Sequence, residues 1–425
     1  MYLTFVLENL FAILIALVII NFIVNEVLKF LNNKWRGRKI PDVLNEVYST
    51  DRYITYVNYK RETYRLSVIT ATINLVVILA MLIFGFSFLD NWLRLFVDKE
   101  IFISILFICV IGIAMDIISL PFDLYETFVI EQKYGFNRTT LKTFILDKLR
   151  VYMLASIVGL PVLYLIIWLY GKFGADFWWL AWLVITIFSI LMSLLYSNLI
   201  VPIFNKQTPL DEGELRDKIN TLSMETDFKL DNIYMIDASK RSTKSNAYFT
   251  GLGSKKRIVL YDTLLKTISQ DEILSILAHE IGHYKKKHTF KGLITSIIQT
   301  GLLLFLFSII VESPAIYESL NVKPGFHIGL IIFMILYSPI SFILSILFNY
   351  FSRKHEFEAD GFAVEHSYGS ALIKALKSLT SNNLSDLNPY PLFIKVYYSH
   401  PSLLQRINNI SKKMVDKANL EKQIL

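Results

Sequence analysis

Apolar residues in this chain gather into long runs rather than alternating with polar ones. Seven of those runs, at about 3–29, 66–89, 101–120, 151–170, 177–204, 292–311 and 326–351, are long enough to cross a bilayer. The second, fourth, fifth and sixth hold no acidic or basic residue. The first has no basic segment ahead of its apolar part and runs on through Asn21, Asn25 and Glu26, so it is expected to be a retained membrane helix rather than a cleaved signal. Two polar stretches are left, 205–291 and 352–425. Within the first, a helix is expected near 212–226, followed by strand-like runs at 232–237, 246–252 and 257–262. Ser269-Gln270-Asp271-Glu272 then reads as a capping box that opens a further helix carrying Ile273, Leu274, Ile276, Leu277 and Ile281 at helical spacing.

Composition agrees with this pattern. A chain of 425 residues that is 54% hydrophobic and 19% charged is too apolar for a soluble enzyme of its length, and is expected to be a multi-pass membrane protein in contact with the lipid bilayer. Its single cysteine, Cys109, can form no internal disulfide. Basic residues crowd the segment 31–65 (Lys34, Arg36, Arg38, Lys39, Arg52, Lys60, Arg61, Arg65), whereas 90–100 has only Arg94 and Lys99. The alternation continues with Lys133, Arg138, Lys142 and Lys148 after the third run, against Lys172 after the fourth and Lys323 after the sixth. The positive-inside rule then places the N-terminus outside and both polar stretches in the cytoplasm, where they can assemble into one unit. The formal charge of +7 becomes a cytoplasmic-face feature suited to lipid headgroups, and no nucleic-acid surface is expected. Compact loops, with no retention signal at Glu421-Lys422-Gln423-Ile424-Leu425, favour a bacterial plasma membrane over the endoplasmic reticulum.

The chemistry lies in His279-Glu280-Ile281-Gly282-His283. On a helix, the H-E-x-x-H spacing puts two imidazoles at i and i+4 on one face, able to share one zinc, with Glu280 beside them as general base. Two histidines leave a catalytic zinc one protein ligand short. The best source is Arg353-Lys354-His355-Glu356-Phe357-Glu358-Ala359-Asp360, just after the last run, where Glu356 and Asp360 share a helix face. Glu356 can reach the metal while Asp360 supports a ligand histidine. A solvated acidic helix is the alternative, which the histidine motif on the same side outweighs. Of the other histidines, His355 points about 100° away from Glu356, and His288 and His366 are expected to be solvated. His327 starts a run at the opposite membrane face. His400, in Ser399-His400-Pro401, could bind an oxyanion or simply hold a loop.

Several segments resemble the type I CaaX prenyl proteases, seven-span zinc metalloendopeptidases related to the bacterial HtpX-type membrane proteases. Besides the histidine motif and Glu356-x-x-x-Asp360, they are Pro121-Phe122-Asp123-Leu124-Tyr125, Glu131-Gln132-Lys133-Tyr134-Gly135-Phe136-Asn137, Pro202-Ile203-Phe204-Asn205-Lys206, Ser245-Asn246-Ala247-Tyr248-Phe249, 256–265, and His400-Pro401 with Arg406. The resemblance implies one zinc per chain on His279, His283 and Glu356, with Glu280 as base and Asp360 orienting a ligand histidine. It implies a substrate-binding strand through Asn246, Ala247, Tyr248 and Phe249, with His400 and Arg406 lining the cleft. It also implies that the helices enclose a wide chamber. His355 stands where members often have an aromatic residue.

The expected fold is therefore mainly α, with seven transmembrane helices around a chamber and a small α+β zincin-like catalytic unit on the cytoplasmic face. Residues 1–204 would supply five helices, 205–291 the first part of the protease with the motif helix, 292–351 helices six and seven, and 352–425 the second part with the third ligand. The expected activity is zinc-dependent cleavage of a peptide or protein substrate, on the resemblance removal of the C-terminal tripeptide of a prenylated CaaX chain. The alternative is a quality-control protease that needs no prenyl group. A transporter built around intramembrane Asp116 is disfavoured by the lack of repeated halves, and an inactive scaffold by the presence of the whole expected ligand set.

Overall fold

The computed structural model describes residues 9–36, 38–228, 232–250 and 257–424. Among them, six helical stretches are long and apolar enough to cross a membrane. The first three are α1 (Leu10–Trp35), α2 (Thr50–Leu93) and α3 (Glu100–Glu131). The fourth, Leu141–Phe204, is too long for one rod and breaks at Gly174 (φ 54°), a conformation that costs a residue without Cβ little. Its halves, α4 (141–173) and α5 (177–204), pack against each other. Two of the expected runs thus form a single broken stretch.

In the polar part, β1 (Gln207–Pro209) precedes α6 (Glu214–Glu225), β2 (Asn232–Ile236), β3 (Ala247–Thr250) and β4 (Arg257–Tyr261). The sheet order is β1-β2-β4-β3, with β2 parallel to β4 and the outer strands antiparallel to their neighbours. β3 therefore forms an edge. Apart from the short helices Asp262–Thr267 and Pro314–Ser319, three longer ones follow: α7 (Gln270–Lys285), α8 (His288–Val311) and α9 (Phe326–Glu365). α9 crosses the apolar zone and continues without a break into the acidic segment. The chain ends in α10 (Gly369–Asn382) and α11 (Leu403–Ile424).

Both polar stretches share one core. Ile219, Leu222, Ile258 and Leu260 pack in one cluster with Leu277 and Ile281 of α7, Phe362 and Ala363 of α9, Leu372 of α10 and Ile410 of α11. The basic loops dock onto the same body. Arg36 pairs with Asp386 at 2.8 Å, Tyr56 donates its hydroxyl to Asp386 at 2.5 Å, and Arg241 pairs with Asp147 at 2.7 Å. At the other end of the helices, His327 is sealed between Asp90 and Ser104, each 2.9 Å from one ring nitrogen. It lies 29 residues before Glu356 on α9, about 44 Å along the axis.

The long helices bury side chains only near their ends. No residue is fully buried in α2 between Tyr59 and Leu82, in α3 between Phe107 and Ile130, in α8 between His288 and Leu304, or in α9 between Tyr337 and Glu356. The same gap runs from Asn137 to Ile167 and from Ala181 to Ser197. Helices packed side by side along their length would bury a continuous stripe.

Candidate metal centre

α7 begins at the capping box read from the sequence: Ser269 accepts from the Glu272 N–H at 3.3 Å, and Glu272 accepts from the Ser269 N–H at 2.8 Å. Its apolar stripe, Ile273, Leu274, Leu277, Ala278 and Ile281, is buried in the shared core. That fixes the rotation of the helix and turns His279 and His283 towards α9. Gly282 sets the separation. A Cβ there would lie 2.9 Å from Phe362 Cβ and 3.1 Å from both Cα and O of Ala359, so only glycine lets these two helices touch backbone to side chain at this crossing. Glu356 then faces the histidines from one turn before Ala359.

His279 Nε2 and His283 Nε2 are 3.2 Å apart, His279 Nε2 lies 3.4 Å from one Glu356 oxygen, and His283 Nε2 lies 3.2 Å from the other. Bonds of about 2.0–2.1 Å to a tetrahedral ion put neighbouring ligand atoms roughly 3.3–3.4 Å apart. The two imidazole nitrogens sit near that spacing, and one atom from each of His279, His283 and Glu356 lies within 4.8 Å of the others, so the trio can hold a metal ion. Two imidazole lone pairs facing each other at 3.2 Å need a cation or a proton between them. Glu356 Oε2 is in addition buried without a hydrogen bond among the described residues, although it is 3.6 Å from Arg406 Nη1. A metal ion would satisfy both.

Asp360 and Arg406 support the trio. Asp360, fully buried one turn beyond Glu356, accepts from His279 Nδ1–H at 2.9 Å, which leaves the Nε2 lone pair for an ion. The Arg406 guanidinium grips Asp360 with two hydrogen bonds of 2.5 and 3.1 Å. Burial and Arg406 both push the His279 pKa down, but Asp360 and Glu356 outweigh them and, with no metal present, raise it to about 9. The site thus holds a proton where a cation fits.

A cavity of about 1030 Å³ opens onto the trio. Glu280, His400, Arg406, Asn246 and Ala247 line it, with Phe348 and Phe351 of α9 and Leu372, Leu376 and Leu379 of α10 on apolar walls. His400 Nε2 is 3.3 Å from Glu356 Oε1 although its side chain is 65% exposed. Asn246, just before β3, and Ala247 on it line the cavity, whereas Tyr248 packs edge-on against Tyr261 within the sheet. The backbone of Phe249 pairs with Ile258, while its side chain lies outside the described part.

One expectation is corrected. His288 is buried, not solvated: its Nδ1 is 3.0 Å from His283 Nδ1, its Nε2 is 3.0 Å from Glu358, and its ring stacks on that of His355 with centroids 4.1 Å apart. The cause is Lys287, whose left-handed backbone (φ 58°) ends α7 and turns the chain so that α8 starts beneath His283. No glycine or asparagine marks that turn in the sequence. His366 is half-buried as well, with its Nδ1–H on the Phe362 carbonyl at 2.9 Å.

The chain is similar to known proteins over most of its length. Residues 30–206 match the family described as CAAX prenyl protease N-terminal, five membrane helices, and residues 209–414 match peptidase family M48. The chain is 36% identical to the probable CAAX prenyl protease 1 of Schizosaccharomyces pombe, over 90% of this chain and 84% of that one. It is 34% identical to the CAAX prenyl protease 1 of Saccharomyces cerevisiae, over 90% of each. The crystal structure of S. mikatae Ste24p superposes with a TM-score of 0.89 at 33% identity, covering 94% of this chain and 98% of that one.

Proposed function

The chain belongs to the CAAX prenyl proteases of peptidase family M48, membrane metalloendopeptidases, and from that premise we propose that it is a zinc enzyme which removes the C-terminal tripeptide of prenylated substrates. The observation that carries the zinc reading is the meeting of His279, His283 and Glu356, whose ligand atoms, one from each, lie within 4.8 Å of one another, with the two imidazole nitrogens 3.2 Å apart. His279, His283 and Glu356 hold the ion. Bound there, zinc supplies Lewis acidity that polarises a scissile carbonyl and makes water a better nucleophile near neutral pH.

The remaining steps belong to the chain's own side chains. Glu280 takes the proton of the attacking water and returns it to the leaving amine. His400, at the cavity rim, donates to the carbonyl oxygen as negative charge develops there. Asp360 keeps His279 in the tautomer that presents Nε2, and Arg406 keeps Asp360 ionised and in place. The substrate strand adds to the free edge of β3 alongside Asn246 and Ala247, and backbone pairing makes the grip tolerant of sequence. Phe348, Phe351 and the leucines of α10 give an isoprenoid an apolar wall.

We place the catalytic unit, zincin-like in its strands and metal helix and built from 205–291 and 352–425, on the cytoplasmic side. The support is that basic segments 31–65 and 131–148 dock on the same body as the trio. The break at Gly174 favours two crossings by Leu141–Phe204, hence seven in all and an outside N-terminus. Unburied mid-helix residues in every long stretch support a hollow chamber between the helices. The direct test offers purified enzyme two matched peptides that differ only by a farnesyl group on the cysteine. Cleavage after the farnesylated cysteine, with the unmodified peptide spared, is expected. Equal cleavage of both would replace this reading with general membrane proteolysis.

A further inference from the structure

The two histidines of the motif are supported differently. His279 passes its Nδ1 proton straight to a carboxylate, Asp360. The Nδ1 of His283 meets a second imidazole instead, and the chain His283–His288–Glu358 has a 3.0 Å contact at each link. We propose that His288 and Glu358 are positioning residues for the metal, forming a relay that fixes the tautomer, orientation and donor strength of His283. This rests on the zinc reading above.

Proton counting gives the direction. To ligate through Nε2, neutral His283 must carry its proton on Nδ1, so His288 Nδ1 has to offer a lone pair. His288 then carries its own proton on Nε2, which points at Glu358 Oε2. Each link has one donor and one acceptor, and the network closes only on the ionised carboxylate of Glu358. The ring planes are held as well. His355 stacks on His288 at an interplanar angle of 14°, and the His288 side chain is 4% exposed, so the acceptor cannot swing away from His283. Burial of His288 where it makes no contact with the proposed ion follows from this role. Metal-ligating imidazoles depend on such outer partners, whose loss typically weakens metal affinity about 10–100-fold.

The relay is tested on the full-length protein by titrating zinc against a chromogenic chelator and by recording the visible spectrum of the cobalt(II)-loaded form. His288→Leu removes the acceptor and should weaken zinc about 10–100-fold while leaving one site per chain at saturation, with altered cobalt bands. His288→Asn places an amide oxygen near the former Nδ1, and should recover most of the affinity without restoring the link to Glu358. Glu358→Gln, which cannot disrupt the core because Glu358 is partly exposed, should fall between wild type and His288→Leu. The proposal is overturned if Glu358→Gln and His288→Leu both bind zinc as wild type does with unchanged cobalt bands. It is equally overturned if Asn rescues no better than Leu in proteins that are folded by circular dichroism. If wild type itself takes up no zinc, the zinc reading fails, and that outcome is distinct from loss of the relay.

Discussion

Gly282 controls the metal site through helix spacing, and Gly282→Ala tests this without touching a ligand. Carbon atoms rest about 3.5–4.0 Å apart in packed contact. The added methyl would sit 2.9 Å from Phe362 Cβ and 3.1 Å from the Ala359 backbone, atoms that no rotamer change can move. α7 and α9 must therefore part by roughly 0.5–1 Å, and overpacking of this kind costs about 1–3 kcal/mol. His279 and His283 ride on one helix and Glu356 on the other, so the nitrogen–oxygen edges of 3.2 and 3.4 Å open by a similar amount. Misplacement on the order of 1 Å costs about 10²-fold in rate, and zinc affinity should drop at least about tenfold. Gly361→Ala is the control. The three atoms nearest its methyl would all belong to the flexible Lys413 side chain, which can give way where the backbone at Gly282 cannot. Chelator competition and thermal unfolding of the two variants in detergent form the assay. Wild-type zinc affinity and unfolding temperature in Gly282→Ala would refute the reasoning.

Arg406→Met should leave the Asp360 and Glu356 carboxylates without their buried counter-charge, destabilising the metal-free protein by about 3–5 kcal/mol; thermal scans should show zinc stabilising this variant more than wild type. Zinc must displace the proton held by His279, so below about pH 9 the apparent affinity should rise up to about tenfold per pH unit and level off above it. For stability of the metal-free protein the sign is opposite. The His279 pKa is raised on folding, so its contribution is complete below the unfolded value of about 6.5 and is lost as pH rises through about 9, which unfolding at pH 6 and pH 10 in chelator can check. Asp386→Asn should cost about 3–5 kcal/mol by stranding buried Arg36, and should loosen the 31–65 segment to limited proteolysis without lowering zinc stoichiometry.

The apolar stretches were legible because hydropathy responds to length and composition, which do not depend on tertiary contacts. The separation of the fourth and fifth was legible as well, because Lys172 and Asp176 flank Gly174, where the backbone angle breaks the helical stretch. The capping box and the motif helix followed from local spacing, whereas the shared face of Glu356 and Asp360 implied support for a ligand histidine without saying which, and the structure shows His279. β1 escaped notice because three residues ending in Pro209 carry no strand pattern and become a strand only through pairing with β2. His288 was misplaced for a similar reason. A continuing helix would turn it away from His283, and the left-handed Lys287 that returns it has no residue-type signature. The need for glycine at 282 arises from a contact with Phe362 and Ala359, 77 or more residues away, invisible to any local window.

The central claim, that Glu280 serves as the base of a site whose metal is held by other residues, is tested most directly by Glu280→Gln. Metal analysis and peptide cleavage should be measured on the same purified sample. The account predicts about one zinc per chain, as in wild type, with turnover abolished. Cleavage persisting at a wild-type rate in this zinc-loaded variant would contradict it.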